Sequence, residues 1–180
     1  MTTAQLIEHD SRFGPFRALT VDDVVIAASW NETVEDLVRR THPSRRPGTI
    51  RESAGPNAVR EALREYDAGD CSAIDRIRVA QHSGPFHARV RDALRSIPSG
   101  TTLTYADLAA IAGTPGAARA AGAACARNAI ALFVPCHRAV GSDGTLRGFA
   151  YGLSHKAALL DHERGCGPQG SAQMPAIVGS

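Results

Sequence analysis

Residues 116–126 read Gly-Ala-Ala-Arg-Ala-Ala-Gly-Ala-Ala-Cys-Ala, a helix-forming stretch with almost no side-chain bulk. Small residues strip one face of a helix, so its backbone can approach a partner surface closely. Arg119 is the one long side chain there. Just upstream, Thr104 followed by Asp107 is a capping-box-like start for a helix reaching Ala112. Gly113 closes that helix, and Thr114-Pro115 is expected to cap and open the next. Two short helices with so brief a joint make a helix-turn-helix candidate. The competing reading is an Ala-rich core helix. No Asp or Glu occurs between Ala109 and Ala139, which favours an anionic partner.

The 180 residues suit one large domain or two small ones. Residues 1–82 read as an α/β unit. Phe13–Thr20 and Val24–Trp30 are strand-like runs around Asp22-Asp23, which suggests a hairpin. Thr33 is an expected N-cap, with Val34, Leu37 and Val38 as the apolar face of a short helix. Residues 41–57 hold three prolines and two glycines and are expected to be loop. Val59, Leu63 and Tyr66 form a helix stripe that stops at Gly69, and Ile77 and Val79 alternate as in a half-buried strand.

A second unit is expected over 83–165. Ser83 and Pro85 start a helix carrying Phe86, Val90, Leu94 and Ile97 at helical spacing, ended by Pro98-Ser99-Gly100. Ile130–Val134 reads as a short buried strand. A loop through Gly141, Gly144, Gly148 and Gly152 follows, then a last helix with Leu153, Ala157 and Leu160 facing inward. Residues 166–180 are rich in Gly, Pro, Ser and Ala and are expected to form a disordered tail.

The bulk properties exclude several classes. The longest apolar run, Ala129–Val134, is far too short to span a membrane, and the N-terminus lacks a signal-peptide pattern. A cytoplasmic address is therefore expected. Cys71, Cys125, Cys136 and Cys166 show no C-x-x-C spacing, so free thiols are expected. Cys71, His82 and His87 fall on different predicted elements, and no zinc site is expected there. The net charge of +2 divides into −2 for residues 1–82 and +4 for residues 83–180. A mildly basic second half can bind phosphates, but a solvated surface explains the same excess.

Pro135-Cys136-His137-Arg138 carries the chemistry. A thiol becomes a nucleophile when a base or cations lie nearby, and Cys136 has an imidazole and a guanidinium beside it. A buried structural cysteine is the competing reading. Glu163 lies at the C-terminal end of the last expected helix, where the helix dipole disfavours a carboxylate. It could complete a Cys-His-carboxylate relay, or it could simply be solvated.

The run V-P-C-H-R-A-V, its spacing to L-L-D-H-E at 159–163, and the upstream A-A-R-A-A-G resemble the methylated-DNA–protein-cysteine methyltransferases. A-C-A-R-N at 124–128 and G-F-A-Y-G at 148–152 are similar in particular to the C-terminal domain of the bacterial adaptive-response methyltransferase. The resemblance covers about Ser83 to Arg164. It implies an RNase H-like α/β unit followed by a mainly α, winged helix-turn-helix unit that binds DNA and carries the methyltransferase site. Cys136 then matches the acceptor of an alkyl group from O6 of guanine. His137 matches the base that deprotonates it through a water, and Glu163 the carboxylate that orients His137. Tyr105 matches the donor to N3 of the leaving guanine, and Asn128 the brace between recognition helix and active-site loop. Arg119 matches the finger that enters the base stack, with Ala118, Arg127 and Arg138 as further DNA contacts. Tyr105, Val134, Ala139, Phe149, Ala150 and Tyr151 are expected to line the guanine pocket. The implied partner is double-stranded DNA containing O6-alkylguanine, bound in the minor groove by a monomer, with no cofactor and no metal.

General chemistry agrees with those roles. O6 is not open to in-line attack inside a duplex, so the nucleotide must be flipped out. A long cation on a helix of alanines suits the gap it leaves, and a helix lacking base-reading side chains suits the minor groove. Four residues depart from the family pattern: Arg91 for a usual tryptophan, Thr101 for a frequent glutamate, Ala129 for a common proline and Tyr151 for a frequent glycine. They leave room for a paralogue acting on another alkylated substrate. The other rivals are a non-enzymatic sensor of alkylated guanine, a Cys-His hydrolase and a plain DNA-binding regulator. A sensor would lack the acceptor cysteine, a hydrolase has no use for an arginine finger, and a regulator has no use for a relay.

Overall fold

The computed structural model describes residues 2–166. Strands β1 (Thr3–Ser11), β2 (Gly14–Val21) and β3 (Val24–Trp30) form an antiparallel meander, and β4 (Thr49–Glu52) pairs parallel with β1, giving the order β3-β2-β1-β4. Asp22 and Asp23 both take positive φ, as a tight two-residue hairpin between right-twisted strands requires. Period-two alternation sends neighbouring residues to opposite faces: Ile7 and Ala18 join the main core, while Leu6 and Leu19 pack with Leu37 on the other side. Leu37 belongs to α1 (Val34–Arg40), which starts at Thr33 with a full capping box to Asp36.

Residues 41–57, expected to be loop throughout, contain a 3-10 turn at Pro43–Arg45 as well as β4. The strand escapes local reading because the free edge of β1 supplies its partners and most of its side chains stay exposed. Helix α2 (Ala58–Ala68) begins at Asn57, whose side chain accepts from Val59 and Arg60 N–H. It ends at left-handed Gly69 and buries Val59, Ala62, Leu63 and Tyr66. The expected strand at Ile77–Val79 is reduced to one bridge between Val79 and Val25.

The second half contains α3 (Pro85–Arg95), β5 (Leu103–Thr104), α4 (Tyr105–Ile111), α5 (Ala118–Ala126), β6 (Ala139–Val140) and α6 (Leu153–Gly165). Gly84, not Ser83, stands at the N-cap of α3. Thr104 and Asp107 make the expected capping box of α4. Thr114-Pro115 does not cap α5: these residues form a turn closed by Ala117 N–H on the Thr114 carbonyl, and the helix starts at Ala118 without a side-chain cap. Ile130–Val134 is not a strand either. Apart from one bridge between Ile130 and Ala28 it is a chain of turns, with Leu132 at φ 68°. On α6 the inward face is Lys156, Leu159, Leu160 and Glu163, whereas Leu153 is 47% exposed. The expected inward stripe of Leu153, Ala157 and Leu160 is thus corrected: of the three only Leu160 is buried, and Lys156, Leu159 and Glu163 take the inward face with it.

A single hydrophobic cluster draws Phe16, Trp30, Leu63 and Ile74 from the first half and Val90, Leu94, Leu108, Phe133 and Leu159 from the second. Cys71 and Cys166 form a disulfide, which corrects the expectation of four free thiols; Cys125 and Cys136 remain free. Local spacing could not reveal a pair 95 residues apart in sequence. Cys166 therefore belongs to the fold, and the rest of the expected tail lies outside the described residues. No helix among the described residues is long and apolar enough to cross a membrane.

Candidate active site

Asn128, just past α5, organises the approach to Cys136. Its Oδ1 accepts Ile130 N–H at 3.0 Å, while its Nδ2 donates to the Val134 carbonyl at 2.8 Å and lies 3.2 Å from Cys136 Sγ. Pro135, at φ −80° and ψ 65°, makes an inverse γ-turn in which Cys136 N–H reaches the same Val134 carbonyl at 2.8 Å. The 3-10 turn Cys136–Arg138 then points successive side chains in different directions. Cys136 faces a cavity, and His137 and Arg138 face inward to α6.

Glu163 is the focus of that interior. Its Oε1 accepts from His137 Nε2 at 2.8 Å, Arg138 Nη2 at 2.8 Å and the Tyr66 hydroxyl at 3.0 Å. Its Oε2 accepts from Arg138 Nε at 2.8 Å and Gly100 N–H at 3.3 Å. Burial by itself would raise the carboxyl pKa, but His137 and Arg138 outweigh it and hold Glu163 far below the carboxylate range. Gly100 sits at φ +81°, and a Cβ there would come within 3.1 Å of the Glu163 carbonyl, so this close approach requires glycine.

Burial pushes the His137 imidazole down against the opposing pull of Glu163, so the ring is neutral at pH 7. With Nε2–H given to Glu163, the lone pair is on Nδ1, a buried atom with no hydrogen-bond partner among the described residues. Cys136 is 9% exposed, and burial pushes its thiol up while the Asn128 amide and the Lys156 charge pull it down. The cysteine therefore rests as a thiol beside a neutral base.

The cavity measures about 430 Å³. Tyr105, Phe149, Ala150 and Tyr151 line it, together with Cys136 and Asn128. Val134 and Ala139 do not. They are buried behind it, where their carbonyls take the Asn128 amide and the Lys156 ammonium. Burial pushes the Tyr105 phenol up to about 12, and the two neighbouring cysteines oppose phenolate further wherever they ionise, so it stays a donor. Tyr151 is pinned: its hydroxyl lies 2.9 Å from Ser29 Oγ and its ring packs edge-on against Trp30.

The expected DNA contacts separate into two groups. Arg119 and Arg127 are exposed on and just past α5, and Ala118 is half-buried. Arg138 is fully buried, with Nη1 on the Ile97 carbonyl at 2.6 Å and the rest of its guanidinium on Glu163. A buried, paired guanidinium cannot reach a phosphate, so Arg138 is a structural partner of the relay. The sequence reading also missed Lys156, whose Nζ donates to the carbonyls of Ala139 (2.5 Å) and Arg147 (3.0 Å) and lies 5.8 Å from the Tyr105 ring centroid. The available signal was its spacing of four residues before Leu160, which places it on the same helix face. Cys125 on α5 also lines the cavity, its thiol pushed up to about 12 by burial. Cys71, Cys166 and His162 bring donor atoms within 4.8 Å of one another, but both sulfurs are consumed in the disulfide.

Two of the departures from the family pattern act together. Arg91 donates to the Gln81 carbonyl at 2.9 Å and to Ser83 Oγ at 3.1 Å. The Gln81 side chain then bridges the Arg127 carbonyl and Ala129 N–H, a donor that proline would lack. Thr101 closes its own turn on the Pro98 carbonyl.

Residues 85–165 match the family described as 6-O-methylguanine DNA methyltransferase, DNA binding domain. The methylated-DNA–protein-cysteine methyltransferase of Shigella flexneri is 43% identical over 139 residues, which cover 76% of this chain and 81% of the relative. The protein of that name from Salmonella typhimurium is 46% identical over 120 residues, covering 66% and 70%. Among solved structures, Mycobacterium tuberculosis OGT in complex with DNA superposes with a TM-score of 0.74 at 32% identity, covering 91% of this chain and 95% of that one.

Proposed function

The chain belongs to the methylated-DNA–protein-cysteine methyltransferase family, and on that premise we propose that Cys136 is its alkyl acceptor. It repairs DNA by moving the alkyl group of O6-alkylguanine onto its own cysteine. The observation that carries the residue assignment is a thiol facing a cavity, followed directly in the chain by a buried His137 that is paired to Glu163 and whose Nδ1 has no partner among the described residues.

The Cys136 proton passes through a water to His137 Nδ1, and Glu163 stabilises the imidazolium as it forms. The thiolate attacks the alkyl carbon, the S–C bond forms, and the C–O6 bond breaks with its electron pair left on guanine. Tyr105 donates to N3 and stabilises that developing charge. The thioether is stable, so one molecule repairs one lesion. Arg119 on α5 enters the stack in place of the flipped nucleotide, and the small-residue face of the helix lies in the minor groove. We read α4, α5 and the β5–β6 pair as a winged helix-turn-helix. The order β3-β2-β1-β4, with α1 before β4, supports an RNase H-like first unit that ends near residue 82. A monomer in the cytoplasm completes this reading.

Intact and peptide mass after incubation with duplex O6-methylguanine tests the assignment. One methyl per protein, on the Cys136 peptide and absent in Cys136→Ala, is the expected result. A methyl on Cys125, which shares the cavity, would overturn it.

A further inference from the structure

Glu163 is held by His137, Arg138, Gly100 and Tyr66, and the last of these comes from the first half of the chain. Tyr66 lies on α2, is fully buried, and donates its hydroxyl to the same Oε1 that faces His137. Its own carbonyl accepts from His162 Nε2 at 2.7 Å, so this one residue grips α6 at two neighbouring positions. The ring is wedged edge-on against His162, at a centroid distance of 5.1 Å. A structural tyrosine needs any acceptor for its hydroxyl; this one uses the carboxylate oxygen on which the catalytic imidazole depends.

We propose that Tyr66 is a positioning residue of the alkyl-transfer relay: its hydroxyl holds Glu163 against His137 and takes up part of the carboxylate charge, which keeps the imidazole a neutral base. The inference rests on the assignment of Cys136 and His137 above. A carboxylate that gives a share of its charge to a phenol attracts a neighbouring imidazolium less. Burial and the charge of Glu163 both disfavour phenolate, so Tyr66 remains a donor across the working pH range. The other ionisable groups around Tyr66, Glu163 and His137 are Arg138 and Lys156, which oppose protonation of His137, His155, which does the same when charged, Asp75, which faces Glu163, Asp67, which faces Tyr66, and His162, which packs against the Tyr66 ring. None of them hydrogen-bonds the oxygen shared by Tyr66 and His137 except Arg138, whose charge is fixed.

The test is the pH profile of single-turnover methyl transfer from duplex O6-methylguanine for three proteins: the natural chain, Tyr66→Phe, and a chain with 3-fluorotyrosine at position 66 alone. The phenylalanine removes the donor, and the fluorinated phenol is a stronger one. The midpoint of the acidic limb should be highest for Tyr66→Phe, intermediate for the natural chain and lowest for fluorotyrosine. The first step should be roughly half a unit to one unit, with little change on the plateau. If Tyr66→Phe does not fold, the order of the other two decides. A loss of rate by the same factor at every pH, or midpoints that break this order, would overturn the role of Tyr66. A natural chain that leaves Cys136 unmethylated would remove the underlying assignment and this inference together, and it is seen by mass before any profile is compared.

Discussion

Arg138 brings a permanent charge into the interior, and Glu163 is the only acidic side chain it meets within hydrogen-bond distance among the described residues. Removing one member of such a pair strands the other. Arg138→Met is expected to cost about 3–5 kcal/mol in denaturant unfolding. An unchanged midpoint would mean that His137, Tyr66 and Gly100 satisfy the carboxylate without it. Tyr151 poses a different question, because a phenol stands where many family members carry glycine. Held by Ser29 and Trp30, it is a fixed wall of the cavity and cannot swing aside cheaply. Overpacking costs about 1–3 kcal/mol, or roughly ten- to a hundredfold in rate if it falls on the transition state. O6-benzylguanine should therefore inactivate the protein poorly, and Tyr151→Gly should restore sensitivity. Equal inactivation rates for the two proteins would show that the wall does not limit the pocket.

At the scale of elements, α5 and α6 divide the work. Helix α5 buries only Ala121 and Cys125 and leaves Arg119, Ala120, Ala123 and Ala126 exposed, the surface that the proposed approach to DNA would use. If Arg119 fills the space of a flipped nucleotide, Arg119→Ala should slow repair of duplex DNA far more than reaction with free O6-methylguanine base. Equal losses on both substrates would assign the residue to the fold. Helix α6 puts Lys156 and Glu163 on the face it shares with Leu159 and Leu160. The spacing of 156, 159, 160 and 163 is that of one helix stripe, so a charged residue at each end is delivered to the site by the same periodicity that buries the leucines.

For the whole molecule, the disulfide and the buried relay both tie first half to second. Closing a loop of 95 residues stabilises the fold by roughly 4–5 kcal/mol in chain-entropy terms. Denatured without reductant, the protein should expose two reactive thiols, Cys125 and Cys136, and reduction should lower its Tm. Four thiols would show that the pair is reduced in solution and would overturn the link. Acid should act on the relay. Both His137 and Glu163 bind their protons more weakly folded than unfolded. Each therefore contributes stability that is present above its ordinary pKa, 6.5 and 4.5, and is lost as pH falls towards the folded value. Stability measured by urea should decline below about pH 6.5 and more steeply below the ordinary carboxylate range. A flat profile from neutral pH to pH 4 would contradict the buried neutral imidazole.

Much of this was legible in the chain alone. Capping boxes at Thr33 and Thr104, the hairpin at Asp22-Asp23 and the stripe Val59–Leu63–Tyr66 are local patterns, set by hydrogen bonds and periodicities spanning a few residues. Cys136, His137 and Glu163 stood out as candidates because they sit in short motifs of one family, and the pairing of His137 with Glu163 is the part the structure shows. Other features depended on partners far away in sequence. Strand β4 exists through the edge of β1, Arg138 is turned from solvent by Glu163, and Cys71 meets Cys166 only after both halves share a core. Tyr66 looked like one more apolar position on a helix stripe. Which acceptor its hydroxyl would find was decided by packing, because a buried polar group takes its partner from whatever the tertiary fold brings beside it.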